Sequence, residues 1–393
     1  MNIPRMIRSD RGAVLALVAV AMAVLLGIGG LALDSARGYL AKARLARAAD
    51  AAVLAGARSL RLGEDVARQR ATDIALLNGA TLGATGSDLD ITFGVNAEGE
   101  QTVQVNAHLD MPTRLMRVLG VDSMDVRAAA VAAVPPVDLV LVLDQSGSLG
   151  TANAFDDLQF AAKTFVDYFD DGIDQLGLVS FNLRATERAP LAGAFTATIK
   201  NQIDQMTSFS YTNVGEGLRL AQGQITGPSV RQRSSKVVVF FTDGRPTAFR
   251  GDINGEDRIL AIPQTGTNIA GYYDAPDQIP SNRSVSPDGC NGQSSCFGWT
   301  EPAARTHAQQ LGLDRASEMR QAGVIVYSIG LGNPDLLDPL WQPDLDYLRM
   351  IANEDGIANG SQVRGRSYFA PSANELRAVF QQVASDLLAR LAQ

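Results

Sequence analysis

The sequence predicts an α/β protein built on a doubly wound, mostly parallel sheet, preceded by an N-terminal transmembrane helix and a small α+β module. Near-continuous apolar runs such as 137–143 and 236–241 are typical of strands that are buried on both faces. Segments with helical periodicity alternate with these runs, which favours a parallel sheet covered by helices. Near the amino terminus, Ala13–Leu33 contains no charged or strongly polar residue.

Composition excludes several function classes. Against 42 Asp and Glu, the chain has 34 Lys and Arg, so its formal net charge is −8, whereas a protein that binds nucleic acid needs a basic surface. The chain has two histidines, His108 and His307, and two cysteines, too few for a zinc site made of His and Cys. Neither a nucleophile elbow nor a phosphate-binding loop is present. We therefore expect a protein that is not an enzyme.

Ala13–Leu33 is long enough to cross a membrane. As a helix it would extend roughly 31 Å, at ~1.5 Å per residue, close to the ~30 Å hydrocarbon core of a bilayer. Arg5, Arg8 and Arg11 precede it, which predicts a cytoplasmic amino terminus and a translocated carboxy-terminal domain. A cleaved signal peptide is the alternative, but its apolar core is usually shorter, about 7–15 residues.

Alanine-rich sequence beyond Leu33 predicts that this helix continues to about Leu60, so that residues 1–60 hold the tail, the span and its extension. Ala19, Ala23 and Gly27 share one face and would let another helix approach closely, although Ala and Gly are frequent throughout the chain.

The amino-terminal segment has Arg11–Gly12 before the apolar run, Leu33–Asp34 at its end, and the alanine-rich Leu45–Ala57 after it. With these features it resembles the TadE/TadG-like proteins of the tight-adherence (Flp) pilus system. It implies a component of pilus assembly.

The sequence of residues 61–134 predicts a small α+β module that connects the membrane helix to the main domain. Glu64–Leu82 is compatible with an amphipathic helix, and three strands follow before the rigid boundary at Pro135–Pro136. Asn96–Gly99 is turn material between the first two strands, and His108 is expected to be an ordinary strand residue. The predicted strands are Leu89–Val95, Thr102–Leu109 and Val126–Val134.

The sequence of residues 137–393 predicts the main domain, which contains the doubly wound sheet. Its expected elements alternate between strands and helices, and the last helix begins with a capping pair, Ser372 and Glu375. The predicted strands are 137–143, Gln175–Phe181, Ala185–Leu191 at the edge, Lys236–Phe241, Gly323–Gly332 and Ser367–Phe369; the predicted helices are Phe155–Phe169, Thr196–Met206, one after Thr212, Arg305–Gln321, Leu345–Ala352 and Ser372–Leu391.

Asp144, Ser146 and Ser148 follow the first buried strand, at the edge where open α/β sheets bind ligands. One carboxylate and two hydroxyls offer the hard oxygen ligands that suit Mg²⁺, Mn²⁺ or Ca²⁺. Thr212 precedes a helix, and Asp243 follows the strand Lys236–Phe241.

This order of residues resembles the metal-ion-dependent adhesion site of von Willebrand factor A domains. The resemblance implies that the hydroxyls of Ser146, Ser148 and Thr212 bind the ion directly, with Asp144 and Asp243 acting partly through water. It also implies that a protein partner supplies an acidic residue to the metal.

An insertion at 246–302 interrupts the domain immediately after Asp243, so we expect it to lie near the metal edge. It has few periodic segments and many Gly, Pro, Asn and Ser residues, and long loops of this kind are usually functional or disordered. Cys290 and Cys296 lie within it. They could form a disulfide worth about 2 kcal/mol outside the cytoplasm, or remain free thiols. Its aromatic residues are either contact residues or a plug over the core: Tyr272, Tyr273, Phe297 and Trp299.

Together these features predict a membrane-anchored, metal-dependent adhesion-type component of pilus assembly or surface attachment, with pilus or envelope proteins as partners. The domain would lie in the periplasm or outside the cell. The alternative is a membrane-anchored adaptor that presents targets to an ATPase or another envelope complex. A cytoplasmic ATPase could not reach a translocated domain, so a phosphatase fused to the carboxyl terminus, active only outside the cytoplasm, distinguishes the two.

Overall fold

The structure is a computed structural model that describes residues 10–79, 87–253, 255–262, 269–274, 299–332 and 344–391. The chain divides between Val134 and Pro135 into two compact units. The amino-terminal unit contains the long helix and a three-stranded sheet, and the carboxy-terminal unit contains a six-stranded sheet with its helices.

The amino-terminal unit packs two alanine-rich helices on one face of a three-stranded antiparallel sheet, whose strands lie side by side in chain order. Small side chains such as Ala52 and Ala71 are fully buried, because alanine lets the helices approach each other and the sheet closely. The long helix ends at Ser59, close to the predicted Leu60, whereas the second ends at Leu77 and not at Leu82; residues 80–86 lie outside the described part. The elements are α1 Asp10–Ser59, α2 Glu64–Leu77, β1 Ser87–Val95, β2 Gln101–Pro112 and β3 Ser123–Val134.

Within the described residues, α1 is the one helix long and apolar enough to cross a membrane. Only 6% of its most apolar stretch is buried in the structure, so the apolar side chains of this stretch face outward. Leu15, Leu17 and Leu25 each expose about two thirds or more of their surface. A helix that is apolar on its outer surface is typical of a segment that lies in lipid.

The carboxy-terminal unit confirms the predicted fold class. The sheet strands are β4 Val137–Asp144, β5 Gln175–Phe181, β6 Ala185–Ala192, β7 Ser235–Thr242, β11 Ile325–Leu331 and β12 Arg366–Ala370; the helices are α3 Gly147–Thr151, α4 Phe155–Val166, α5 Thr196–Asp204, α6 Val214–Ile225, α7 Glu301–Gln321, α8 Leu345–Ala352 and α9 Leu376–Leu391. The strands lie in the order β12-β11-β7-β4-β5-β6, and all neighbouring pairs are parallel except that of β5 with the edge strand β6.

Helices cover both faces of this sheet, which explains why every residue of β4 is buried. Successive side chains of a strand point to opposite faces. Leu141 therefore packs in the cluster that contains Phe165 of α4 and Phe380 of α9, while Val142 packs in the cluster that contains Leu218 of α6. The uninterrupted apolar run is the direct consequence of this double burial.

The last helix begins differently from the prediction. A 3₁₀ turn, Ala373–Glu375, precedes α9, and the Ser372 hydroxyl lies 3.0 Å from a carboxylate oxygen of Glu375. Ser372 therefore bonds the acidic side chain of the predicted pair and does not cap a backbone N–H group.

The insertion contains an antiparallel sheet that the sequence did not predict. Its strands are β8 Ala248–Ile253, β9 Glu256–Ala261 and β10 Gly271–Asp274, in the order β10-β9-β8. Phe249 and Leu260 are buried against Ala304 and Ala308 of α7, which gives the sheet a core of its own. The structure therefore differs from the expected loop, because short apolar stretches separated by turn residues pair with one another.

The aromatic residues of the insertion behave as a plug where they are described. Tyr272 and Tyr273 expose 5% and 9% of their surface, and Trp299 packs on Phe249 with ring centroids 5.0 Å apart. Cys290, Cys296 and Phe297 lie outside the described residues, so the proposed disulfide stays a prediction.

Candidate metal centre

Two acidic residues lie where neighbouring parallel strands end, at the carboxyl edge of the sheet. Strands β4 and β7 pair in register, with Leu143 opposite Phe241, so Asp144 and Asp243 follow at the same edge. Asp144 is fully buried, and Asp243 exposes 9% of its surface. The topology of the sheet thus brings together two acidic residues that are 99 positions apart in the chain.

Two serines connect these carboxylates, through their hydroxyls to Asp243 and through the Ser146 backbone N–H to Asp144. Ser146 immediately precedes α3, and Ser148 lies in its first turn. The Ser148 hydroxyl donates to Asp243 Oδ1 at 2.8 Å and lies 3.1 Å from the Ser146 hydroxyl, which is itself 3.4 Å from the same carboxylate oxygen. The Ser146 backbone N–H donates to Asp144 Oδ1 at 2.8 Å, and this bond fixes the turn. The structure therefore brings together four of the five predicted ligands.

Thr212, the fifth predicted ligand, lies on the adjacent loop. The Gly147 N–H donates to the Ser210 carbonyl at 2.9 Å, which holds this loop against the serine turn. A Cβ atom at Gly147 would lie 3.3 Å from that carbonyl, so glycine suits the close approach. Thr212 is buried, and its backbone N–H donates to the Thr247 hydroxyl at 2.8 Å. The hydrogen bonds that join the other four side chains do not include Thr212.

Two further threonines complete the site, and sequence reasoning missed both. The Thr242 hydroxyl donates to Asp144 Oδ2 at 2.6 Å, so both oxygens of this carboxylate accept a hydrogen bond. Thr247 positions Thr212 through its hydroxyl and through its N–H, which donates to the Thr212 carbonyl at 2.9 Å. Thr242 directly precedes Asp243, and this adjacency was the available signal. Thr247 offered no such signal, because its role depends on how the insertion folds back.

The electrostatics of the site favour a cation. Burial raises the pKa of both Asp144 and Asp243, and the negative charge of Asp144 raises the pKa of Asp243 further. Across the described part of the chain, neither carboxylate forms an ion pair with Lys or Arg. Two buried carboxylates without a counter-charge are unfavourable at neutral pH. With two hydroxyls beside them, they form an all-oxygen donor set that fits Mg²⁺, Mn²⁺ or Ca²⁺.

The insertion lies next to this edge, as its position in the sequence predicts. The ring of Tyr211, which precedes Thr212, lies 6.2 Å from the ring of Tyr273 in β10. Arg250 of β8 pairs with Glu216 at the start of α6 at 3.5 Å and with Asp257 of β9 at 2.6 Å. The three-stranded sheet therefore supports the loop that carries Thr212.

A second group of potential ligands lies in the amino-terminal unit. His108 Nε2 is 2.9 Å from Asp125 Oδ1 and 3.6 Å from Asp110 Oδ1 on the outer face of the small sheet. Asp125 also pairs with Arg127 at 2.8 Å, and all these side chains are at least one third exposed. We assign this group to surface ion pairing, and His108 is a strand residue as expected.

Comparison with known families gives two matches that do not overlap. Residues 138–271 match the von Willebrand factor type A domain, and residues 12–59 match the Flp pilus-assembly TadE/G-like family. Asp144, Ser146, Ser148, Thr212 and Asp243 all lie within the first match. No curated protein sequence matches the chain.

Similar solved structures include domains from several pilus proteins. The von Willebrand factor domain of the type V pili tip protein Mfa5 from Porphyromonas gingivalis is 18% identical, with a TM-score of 0.46, and the match covers 66% of this chain and 97% of that one. A mutant of the PilB minor pilin from Streptococcus sanguinis is 15% identical, with a TM-score of 0.44 and coverage of 80% and 81%.

A third similar structure is the proximal thread matrix protein 1 of the mussel byssus, described with a zinc-occupied MIDAS motif. It is 20% identical, with a TM-score of 0.39, and the match covers 65% of this chain. The present chain spans 46% of the length of that protein. Two separate parts of the chain therefore match known families, the amino-terminal helix the Flp pilus-assembly TadE/G-like family and residues 138–271 the von Willebrand factor type A domain.

Proposed function

We propose that this chain is a membrane-anchored, metal-dependent protein-binding component of pilus assembly or surface attachment, and that it is not an enzyme. The observation that carries the proposal is the convergence of Asp144, Asp243, Ser146 and Ser148 at one edge of the sheet. The two family matches support the connection with pilus assembly.

In this proposal, Ser146, Ser148 and Thr212 hold a divalent cation through neutral hydroxyl oxygens. Asp144 and Asp243 supply the negative charge, and Thr242 keeps Asp144 oriented by its 2.6 Å hydrogen bond. Mg²⁺ is the ion we favour, with Mn²⁺ or Ca²⁺ as alternatives, because all the donors are hard oxygens. A cation bound mostly by neutral oxygens would accept an additional carboxylate from a partner.

Exposure at the site is compatible with a protein partner. Ser148 and Gly244 are both partly exposed, whereas Asp144 and Ser146 are buried beneath them. A partner could therefore reach the site from the side of these two residues. We infer that the partner supplies an Asp or Glu side chain from a pilus or envelope protein, because a carboxylate is a hard oxygen ligand of opposite charge.

The amino-terminal helix supports the proposed location. Its apolar segment is exposed along its length, and Arg5, Arg8 and Arg11 precede it in the sequence. Positive residues on the amino-terminal side favour a cytoplasmic tail. We propose a single-pass protein of the inner membrane whose carboxy-terminal unit lies in the periplasm or at the cell surface.

Ion-dependent capture of a partner tests this function. The full-length chain, solubilised in mild detergent and immobilised, should retain an envelope protein in Mg²⁺, release it in EDTA and retain it again when Mg²⁺ is restored. Asp144→Ala should lose this capture, because the variant lacks one of the two buried carboxylates.

Asp156→Ala is the matched control, since Asp156 is an exposed residue in the first turn of α4 of the same unit. It should capture the partner as the wild type does. Equal capture by wild type in Mg²⁺ and in EDTA would contradict a metal-dependent function.

A further inference from the structure

The connection between β2 and β3, residues 113–122, lies along the apolar end of α1. A Cβ atom at Gly30 would be 2.9 Å from the Leu115 Cβ, and one at Gly27 would be 3.7 Å from Leu119 Cδ1. Glycine at position 30 therefore permits a contact that a larger residue would block. We name residues 113–122 the interfacial loop.

Asp34 fixes this loop to the helix. It is fully buried, and its carboxylate accepts hydrogen bonds from three successive backbone N–H groups, those of Arg114, Leu115 and Met116, at 2.8 to 3.2 Å. Such a carboxylate satisfies donors that would otherwise be unpaired at the start of the 3₁₀ turn Met116–Leu119. Asp34 is the first charged residue after the apolar run, so the attachment lies where that run ends.

The interfacial loop exposes an unusual amount of apolar surface. Val118 is 86% exposed, Leu119 62% and Leu115 44%. Arg114 and Arg117, also exposed, stand among them. Apolar side chains that alternate with cationic ones are typical of segments that bind at the surface of a bilayer.

The apolar surface of the loop is continuous with that of the membrane helix. Leu119 lies beside Gly27, six residues before Leu33, which places it about 9 Å below the end of the apolar run at ~1.5 Å per residue. Interfacial segments bury their apolar face roughly 5–10 Å into the boundary between head groups and acyl chains. From this depth and this exposure we propose that the interfacial loop inserts into the same membrane leaflet that α1 leaves, as a second contact with lipid.

This inference rests on the proposed membrane anchor and adds a function to the loop. With α1 alone in the bilayer, the amino-terminal unit could rotate and tilt as one body. A second inserted element would fix the height of the unit above the bilayer and its rotation about the axis of α1. The Arg114 guanidinium is placed to meet lipid phosphates, because the loop carries it at the level of the head groups. Arg117 pairs with Asp122 of the same loop at 3.5 Å, and this exposed pair would lie at the same level.

A tryptophan placed in the loop tests this inference. Full-length Val118→Trp is reconstituted in phosphatidylcholine vesicles whose acyl chains are brominated near the head group, and its fluorescence is compared with that of the wild type, which carries two native tryptophans. We expect an additional emission that is blue-shifted and quenched by the brominated lipid, since the side chain would be surrounded by acyl chains.

Val95→Trp is the matched control. Val95 is 64% exposed and ends β1 beside the turn at Asn96, at the opposite end of the small sheet from the interfacial loop. Its additional emission should be that of tryptophan in water and should not be quenched by the lipid.

Flotation of the vesicles separates the two claims. If the chain floats with the vesicles while Val118→Trp is quenched no more than Val95→Trp, the inserted loop is refuted and the anchor stands. If the chain does not float, both the anchor and the inserted loop are refuted.

Discussion

Arg231→Ala should destabilise the carboxy-terminal unit by about 3–5 kcal/mol, the usual cost of leaving a buried charge without its partner. Asp138, near the start of β4, is fully buried, and its carboxylate accepts bonds from the Arg231 guanidinium at 2.6 and 2.9 Å. It also accepts from the Arg231 backbone N–H and from the Ser234 hydroxyl. Without the guanidinium, a buried negative charge would remain inside the sheet without a counter-charge.

Denaturant unfolding of the full-length chain in detergent micelles measures this loss. Arg315→Ala is the control, because the carboxylate that Arg315 pairs with at 2.9 Å, that of Glu318, is 47% exposed, whereas that of Asp138 is fully buried. Exposed pairs contribute roughly 0–1 kcal/mol. If the two variants unfold at similar denaturant concentrations, the buried pair does not stabilise the fold as we describe.

Asp243→Asn should make the metal-free chain more stable than wild type and the metal-bound chain less stable than wild type. The substitution removes one of two buried carboxylates while keeping the shape of the side chain. In EDTA at pH 8 we expect a higher melting temperature than that of wild type, by roughly 2–4 °C for each kcal/mol gained. In Mg²⁺ the order should reverse, because the variant lacks a charged oxygen for the cation.

The pH dependence follows from the direction of the pKa shifts. Burial raises the pKa of Asp144 and of Asp243, with the charge of Asp144 as a further cause for Asp243, so both groups bind protons more tightly in the folded state than in the unfolded state. Metal-free wild type should therefore gain stability as the pH falls from 8 towards 5, and Asp243→Asn should gain less. A variant with the same pH slope as wild type would contradict this assignment of charge.

The sequence predicts the sheet well because the strands β4 and β7 are buried on both faces and leave unbroken apolar runs. The same logic places Asp144 and Asp243 at one edge, since Asp144 directly follows one such run and Asp243 follows the other after Thr242. Periodicity also finds α6 and α8, whose buried faces repeat at helical spacing. In these elements, the apolar residues that are buried in the core are also the ones whose spacing predicts the strand or helix.

Other features depend on contacts between distant residues that leave no local pattern. The strands of the insertion are only four to six residues long and are surrounded by turn residues, so their pairing was not evident. In the sequence, Asp34 is only the first charged residue after an apolar run. The backbone N–H groups that it binds are 80 to 82 positions away. Thr247 was missed for the same reason, because its role depends on Thr212 in another loop. Thr242 was missed although it directly precedes Asp243 in the sequence.

The effect of Mg²⁺ on thermal unfolding tests the metal site most directly. The melting temperature of the full-length chain in micelles is measured in EDTA and in increasing Mg²⁺, for wild type and for Asp144→Ala. A ligand at 100 times its Kd stabilises by about 2.7 kcal/mol, so the unfolding of the wild-type carboxy-terminal unit should shift upward by several degrees. The variant should not shift. A wild-type melting temperature that is the same in EDTA, Mg²⁺, Mn²⁺ and Ca²⁺ would contradict the proposed metal centre.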